Sequence, residues 1–240
     1  MNCYVNLKNR KMEKNLKLFI FTFFFAIPFI SLVSQNKENK LIVFDRPAYE
    51  ESLKKMPSKE LINLGKKIPD ISLDIKYATP NNFTKQVIYK EAKAFARKPV
   101  AEALGEAQKE FLKLGYSIKI FDAYRPYRAT IKFFEIIGDT RYVASPKTGS
   151  RHNKGCAIDL TLVDLNTNKE LTMPTEYDSF RKEAWAEAPV SDSEILKNRT
   201  ILIQVLTNHG FRVNKTEWWH FDFVGCAGFE VLDIPFEDLE

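Results

Sequence analysis

The sequence predicts an α+β fold, a single domain with a mostly antiparallel sheet and flanking helices. Three observations carry that expectation. Several short runs alternate apolar and polar residues with period 2, as half-buried strands do. Longer stretches between them repeat apolar residues at helical spacing. No glycine-rich phosphate loop joins a strand to a helix, as a doubly wound nucleotide-binding sheet requires. The chain is 240 residues long, 45% hydrophobic and 28% charged. This is the size of one domain, or one plus a small appendage, and it excludes extended disorder, collagen-like repeats and a disulfide mini-scaffold.

The N-terminus reads as a signal peptide over residues 1–34. Lys8, Arg10, Lys11, Lys14 and Lys17 precede an uncharged run from Leu18 to Ser34. Pro28 and a length near the low end of the spanning range favour a signal-peptide core over a permanent membrane helix. Leu32 is not the small residue that an A-x-A-like cleavage site prefers, so an uncleaved anchor is the alternative. The expectation is an exported protein, periplasmic or secreted, that meets a membrane only through this segment before cleavage. Removing it takes five bases and one acid from totals of 36 and 31, leaving 31 against 30. The body is therefore almost neutral, and no nucleic-acid partner is expected. Cys156 and Cys226 remain in the exported body. They pair in an oxidising compartment, or Cys156 serves as a small buried residue.

Residues 35–66 are polar and read as a linker followed by a short helix or two, with the folded domain over 67–240. Ile71–Tyr77 alternates as a half-buried strand, and Thr79–Asn82 is a turn. Val100, Leu104, Ala107, Phe111 and Leu114 mark a helix with Pro99 in its first turn and Gly115 at its end. Ser117–Asp122 is the next strand, leading into Tyr124-Arg125-Pro126, and a helix is expected over 127–137. Cys156–Val163 is another strand, closed by turn residues at Asn166–Asn168. The last helix opens with a capping box from Ser191 to Glu194 and ends at Asn208-His209-Gly210. Phe211–Val213 and Trp219–Phe223 are the closing strands.

The chain has three histidines. His209, beside a helix C-terminus and a glycine, fits a structural role. The other two stand elsewhere. Ser150-Arg151-His152-Asn153-Lys154-Gly155-Cys156-Ala157-Ile158-Asp159 sets a histidine before a glycine turn and an aspartate in an apolar strand. Glu217-Trp218-Trp219-His220-Phe221 adds a glutamate and a histidine among aromatics. An aspartate flanked by Ile158 and Leu160 is costly to bury unless it is paired, protonated or bound to a metal. Two imidazoles and a carboxylate are three ligands, the number a catalytic zinc site uses while leaving a fourth position for water, and Glu217 is then the natural base. The plainer alternative pairs Asp159 with an Arg or Lys and makes His220 an ordinary strand residue. Glu217 and His220, three apart, point to opposite faces of a regular strand, so a shared site requires a turn or bulge at the strand entrance.

The pattern S-x-H-x-x-G-x-A-x-D, then E-W-W-H-F, with Asp122-Ala123-Tyr124-Arg125-Pro126 upstream, resembles the D-alanyl-D-alanine dipeptidases. These are VanX-type zinc metallopeptidases, related to zinc D,D-carboxypeptidases that act on peptidoglycan. The likeness extends to Asp74–Thr84 and to Met173-Pro174-Thr175-Glu176-Tyr177-Asp178, and covers roughly residues 68–225. It implies an α+β domain around one Zn²⁺ per chain bound by His152, Asp159 and His220, with Glu217 as general base and Arg125 beside the scissile carbonyl. It implies Asp178 as anchor for a substrate ammonium, with Tyr77 and Ser150 nearby in the pocket. Arg151 departs from the small serine usual at its position, and either binds a terminal carboxylate or crowds a dipeptide. The partner so implied is a small D-amino dipeptide. The rivals are a zinc D,D-carboxypeptidase or endopeptidase acting on stem peptides, and a non-catalytic zinc-stabilised cell-wall-binding domain.

Overall fold

A computed structural model of the chain describes residues 40–239; the expected signal segment and Gln35–Asn39 lie outside the described residues. In chain order the elements are β1 (Val43–Phe44), α1 (Arg46–Lys55), β2 (Leu61–Asn63), α2 (Leu64–Lys67), β3 (Ser72–Leu73), β4 (Phe95–Arg97) and α3 (Lys98–Lys113). They continue with β5 (Tyr116–Asp122), α4 (Tyr127–Ile137), β6 (Ala157–Asp164), β7 (Lys169–Glu170), α5 (Ser193–Asn208), β8 (Phe211–Asn214), β9 (Glu217–Phe223) and β10 (Val231–Leu232).

The main sheet runs β3-β5-β6-β9-β8, with β7 also on β6. Every pairing in it is antiparallel except β3 with β5. The mostly antiparallel α+β sheet expected from the period-2 runs is what forms. Two small pairs, β1–β10 and β2–β4, sit beside it.

α3 forms where its apolar stripe predicts, with Pro99 in the first turn and Gly115 at φ +85° past the end. Its inner face buries Val100, Leu104, Ala107 and Phe111 completely. Each large side chain so removed from water contributes about 2 kcal/mol. Gln108 on the same face is satisfied by β5: its Oε1 accepts from Ile118 N at 2.9 Å and its Nε2 donates to Ser117 Oγ at 3.0 Å. His209 keeps the structural role expected of it, with Nε2 2.8 Å from Glu110 Oε2, joining the end of α5 to α3.

Three boundaries differ from the sequence expectation. The short helices expected ahead of residue 67 are α1 and α2, and they pack into the body rather than preceding it: Leu64 is fully buried, Tyr49 and Leu61 nearly so, and the Tyr49 hydroxyl accepts from Leu61 N at 2.6 Å. So few apolar residues in a polar stretch leave no periodicity to read. The strand expected over Ile71–Tyr77 shrinks to Ser72–Leu73, because the chain turns into a 3-10 turn at Lys76–Ala78 that drives Ile75 and Tyr77 inward. The cap of α5 is Asp192 rather than Ser191; its carboxylate accepts from Glu194 N at 2.8 Å and Ile195 N at 3.1 Å.

Cys156 and Cys226 form a disulfide across 70 residues. A cross-link closing a loop of that length stabilises a protein by about 2–5 kcal/mol, chiefly through the unfolded chain. Replacing both cysteines by serine is expected to lower the unfolding free energy by that amount in urea. An unchanged midpoint with and without reductant would show that the bond does not form.

Candidate active site

The site lies where β5, β6 and β9 meet. Asp159 of β6 faces His220 of β9 on one side and Asp122 of β5 on the other. The β5–β6 register slips between Ile120 and Asp122, so Phe121 is the extra residue of a bulge and Asp122 is drawn level with Asp159. A larger slip marks β8–β9. Val213 faces Phe221, yet the next residue, Asn214, faces Glu217. Trp218, Trp219 and His220 are looped out of that pairing. The irregular strand entrance required for Glu217 and His220 to share a site is present, and brings Glu217 Oε2 to 3.6 Å from His220 Nδ1.

His152 sits on a 3-10 turn, His152–Lys154, between β6 and the loop after α4. Ser150 Oγ accepts from His152 N at 3.2 Å. Gly155 ends the turn at φ +68°, and a Cβ there would meet Leu61 Cδ2 at 2.8 Å and Arg97 N at 3.2 Å. Both backbone and space therefore demand glycine. Asn153 Nδ2 donates to Arg125 O at 2.8 Å, and Arg125 N donates to His152 O at 3.1 Å, so the His152 turn and the Arg125 turn are stitched together.

Three donor atoms converge. His152 Nε2 and His220 Nδ1 are 3.1 Å apart, and Asp159 Oδ1 is 3.3 Å from the first and 3.0 Å from the second. The other nitrogen of each imidazole is committed: His152 Nδ1 donates to Ala123 O at 2.7 Å, and His220 Nε2 donates to Asp222 Oδ1 at 3.0 Å. Both lone pairs therefore aim at the centre of the cluster. Asp159 Oδ2 accepts from the Tyr177 hydroxyl at 2.9 Å, whereas Oδ1 is buried without a hydrogen-bond partner. Donors packed so closely could share a metal ion. Ligands at 2.0–2.1 Å in a tetrahedral shell stand about 3.3 Å apart, so the donor set fits a divalent metal of the zinc type.

The charges around the cluster are tuned by burial and by each other. With no metal present, burial works against a charged His220, but the carboxylates of Asp159 and Asp222 beside it outweigh burial and push its pKa up to about 10, so a metal bound there would take the place of the Nδ1 proton. Burial also opposes ionised Asp159, and the two histidines overcome it, holding the carboxyl far below the usual range. Glu217 is pushed up by burial, with His220 pulling the other way; its Oε2 accepts from Asn214 Nδ2 at 3.0 Å. Arg125 is buried, yet Asp122 keeps it charged, accepting from Nε at 3.0 Å and Nη2 at 2.7 Å. Its guanidinium also lies 4.8 Å from the Phe133 ring centre and 5.4 Å from that of Tyr77.

A cavity of about 330 Å³ opens over the donors. Every site residue named from the sequence lines it: Tyr77, Arg125, Ser150, Arg151, His152, Asp159, Asp178, Glu217 and His220. Asp178, at φ +60°, accepts from the Tyr77 hydroxyl at 3.0 Å; burial, with Asp159 adding to it, raises its carboxyl well above the usual range. Arg151 neither fills the cavity nor stands free in it, for its guanidinium is engaged by Asp222 and Phe223 O. Sequence reasoning passed over Asp122, Tyr177, Asn214 and Asp222, which hold the first group in place. Asp122 and Tyr177 fall inside the motifs already quoted, and their polar side chains among aromatic neighbours were the available signal.

Three converging donors with one side open to a cavity, a carboxylate and a guanidinium at its edge, define the class of metal-dependent hydrolases rather than a closed structural metal site. The chain belongs to the D-Ala-D-Ala dipeptidase family, whose profile matches residues 57–238. It is 33% identical over 177 residues to the D-alanyl-D-alanine dipeptidase of Escherichia coli K12, covering 74% of this chain and 91% of that protein. It is 30% identical over 189 residues to the Enterococcus faecalis V583 protein of the same name, covering 69% and 88%. Among solved structures, the LD-carboxypeptidase LdcB overlaps 70% of this chain and 69% of its own at 20% identity and a TM-score of 0.41, too loose a likeness to carry an argument.

A ligand that binds only the folded state stabilises it, by about 2.7 kcal/mol at a hundredfold excess over Kd. Adding Zn²⁺ to chelator-stripped protein is therefore expected to raise its unfolding temperature by several degrees, and Asp159→Ala to abolish the rise. An equal rise in that variant would place the metal elsewhere.

Proposed function

We propose that the protein hydrolyses the D-alanyl-D-alanine dipeptide to free D-alanine, with one Zn²⁺ per chain held by His152, Asp159 and His220. The observation that carries this reading is the convergence of those three donors, with the orphaned Asp159 Oδ1 among them, beside Glu217 in a cavity of about 330 Å³. Zinc bound there would polarise the peptide carbonyl and let water lose a proton near neutral pH.

The chain's own residues do the rest. Glu217, raised by burial and steadied by Asn214, takes the proton of the attacking water and returns it to the departing amine. Arg125, fixed by two bonds to Asp122, presents a permanent positive charge to the oxygen that becomes anionic. Because its geometry is set before substrate arrives, no reorganisation is needed as charge develops. Asp178, whose ionisation burial disfavours, faces the position of the substrate ammonium, whose charge would offset that cost, and the Tyr77 hydroxyl orients its carboxyl group. Ser150 lines the same wall as a contact for the substrate's polar ends, whereas Arg151 at the cavity's edge has its guanidinium turned to Asp222 and Phe223 O.

A second cavity of about 310 Å³ shares Asp178 and Phe83 with the first and adds Lys76 and Lys85. It favours, as a second reading, a D,D-carboxypeptidase or endopeptidase that threads a longer stem peptide past Asp178. The non-catalytic binding domain has no such support, since a structural metal needs neither Glu217 nor Arg125. Export is the setting that suits both hydrolase readings, and the Cys156–Cys226 disulfide supports it.

The deciding assay follows D-alanine released from D-Ala-D-Ala and from its N-acylated form, with and without chelator. The expected result is chelator-sensitive release from the free dipeptide alone. Preference for the acylated peptide would favour the second reading, and no release from either would end both. Glu217→Gln is expected to lower kcat by about 10²–10⁴ while metal stays bound. Asp178→Asn is expected to raise KM for the free dipeptide, because a neutral amide cannot offset the ammonium; an unchanged KM would remove Asp178 from the ammonium site.

A further inference from the structure

We infer that Arg151 is a positioning residue of the metal centre, acting on His220 through Asp222. The inference rests on the metallopeptidase reading above and adds to it a bridge between the two ligand-bearing segments. Arg151 directly precedes His152, and Asp222 follows His220 by two residues on β9. Arg151 Nε lies 2.9 Å from Asp222 Oδ1, and that same oxygen accepts from His220 Nε2 at 3.0 Å. Arg151 Nη2 donates to Phe223 O at 2.8 Å, so the guanidinium grips side chain and backbone of β9 together. Two backbone bonds lie alongside: Cys156 N donates to Arg151 O at 3.2 Å, and Phe223 N donates to Cys156 O at 2.9 Å.

The physical need is plain. An imidazole that offers one nitrogen to a metal is oriented by the acceptor on its other nitrogen, and that acceptor must itself be held. Asp222 alone has freedom about its terminal torsion and a charge that water competes for. The guanidinium limits both freedoms: Nη2 is bonded to the Phe223 carbonyl while Nε stands against the carboxylate as an ion pair, without a hydrogen bond, a two-point placement an ammonium cannot reproduce. Arg212 reaches the other carboxylate oxygen only at 4.0 Å and is 70% exposed, so it does not replace Arg151. The charge of Arg151 is thereby committed to the protein. A substrate carboxylate at this wall would meet a cation already shared with Asp222.

The test is competition for Zn²⁺ between the purified protein and a chelator of known affinity, on wild type, Arg151→Met, Arg151→Lys, Asp222→Ala and the double variant Arg151→Met/Asp222→Ala. Unfolding temperatures of the metal-free forms check folding. Outer partners of metal ligands are worth about 10–100-fold in affinity. Arg151→Met and Asp222→Ala are each expected to weaken Zn²⁺ binding by roughly tenfold or more, within that range. Arg151→Lys should recover part of the loss, and the double variant should be no weaker than Asp222→Ala, because both changes break one chain of contacts. Wild-type affinity in Arg151→Met, or losses that multiply in the double variant, would overturn the inference. So would unchanged Zn²⁺ affinity with a raised KM for the dipeptide, which would make Arg151 a substrate contact. Failure of the wild type to take up Zn²⁺ would instead sink the metallopeptidase reading, and this inference with it.

Discussion

A single buried carboxylate sets the terms for this molecule. Asp159 stands on a strand whose neighbours Ile158, Leu160 and Leu162 are fully buried, and it is itself only 3% exposed. Ionised in such surroundings, it needs positive charge and hydrogen bonds from every direction the sheet leaves open. β9 brings His220 from one side, the His152 turn closes from above, and Tyr177 takes the second oxygen. One oxygen is still left without a hydrogen bond, and the proposed metal site rests on that deficit.

The same need for satisfaction spreads outward. Arg125 is held charged by Asp122, which also accepts from the Tyr89 hydroxyl at 3.0 Å. Behind the His152 turn, Arg97 is wholly buried and spends its donors on main-chain carbonyls: Nε on Lys154 O at 2.8 Å, Nη2 on Glu230 O at 3.1 Å, and Nη1 on Lys59 O. The turn carrying His152 has no regular ladder of its own, and Arg97 bonds to it through Nε on Lys154 O and its own N–H on Gly155 O. Asp122 and Arg97 thus hold the site's residues in place from outside the cavity, which neither of them lines.

How much of this was legible in the sequence follows from how each residue acts. His152, Asp159, Glu217 and His220 stand out because histidines are few and a carboxylate inside an apolar strand is anomalous. Even the irregular entrance to β9 could be inferred, from the misfit between a spacing of three and a period of two. Asp122, Tyr177, Asn214 and Asp222 act through a neighbour, and no spacing rule joins residues that meet only after the sheet has formed. Tyr49, Leu61 and Leu64 were hidden for a related reason: three core residues scattered through a polar stretch bury well without producing a pattern. The short β3 shows the converse, where a period-2 run marked buried Ile75 and Tyr77 correctly although the backbone there is a turn.

The disulfide has a further consequence for the chain as a covalent object. Between Cys156 and Cys226 run Asp159, Asp178, Glu217 and His220, so all the site's carboxylates and one of its two histidines are enclosed in one ring. A protease that nicks an exposed position inside that ring, such as Leu165 or Trp185, cuts the backbone but leaves the two pieces tethered beside the His152 turn. A nick outside the ring separates the ends. Tolerance to cleavage is thus distributed unevenly along the sequence, and it is greatest over the stretch that carries Asp159, Glu217 and His220.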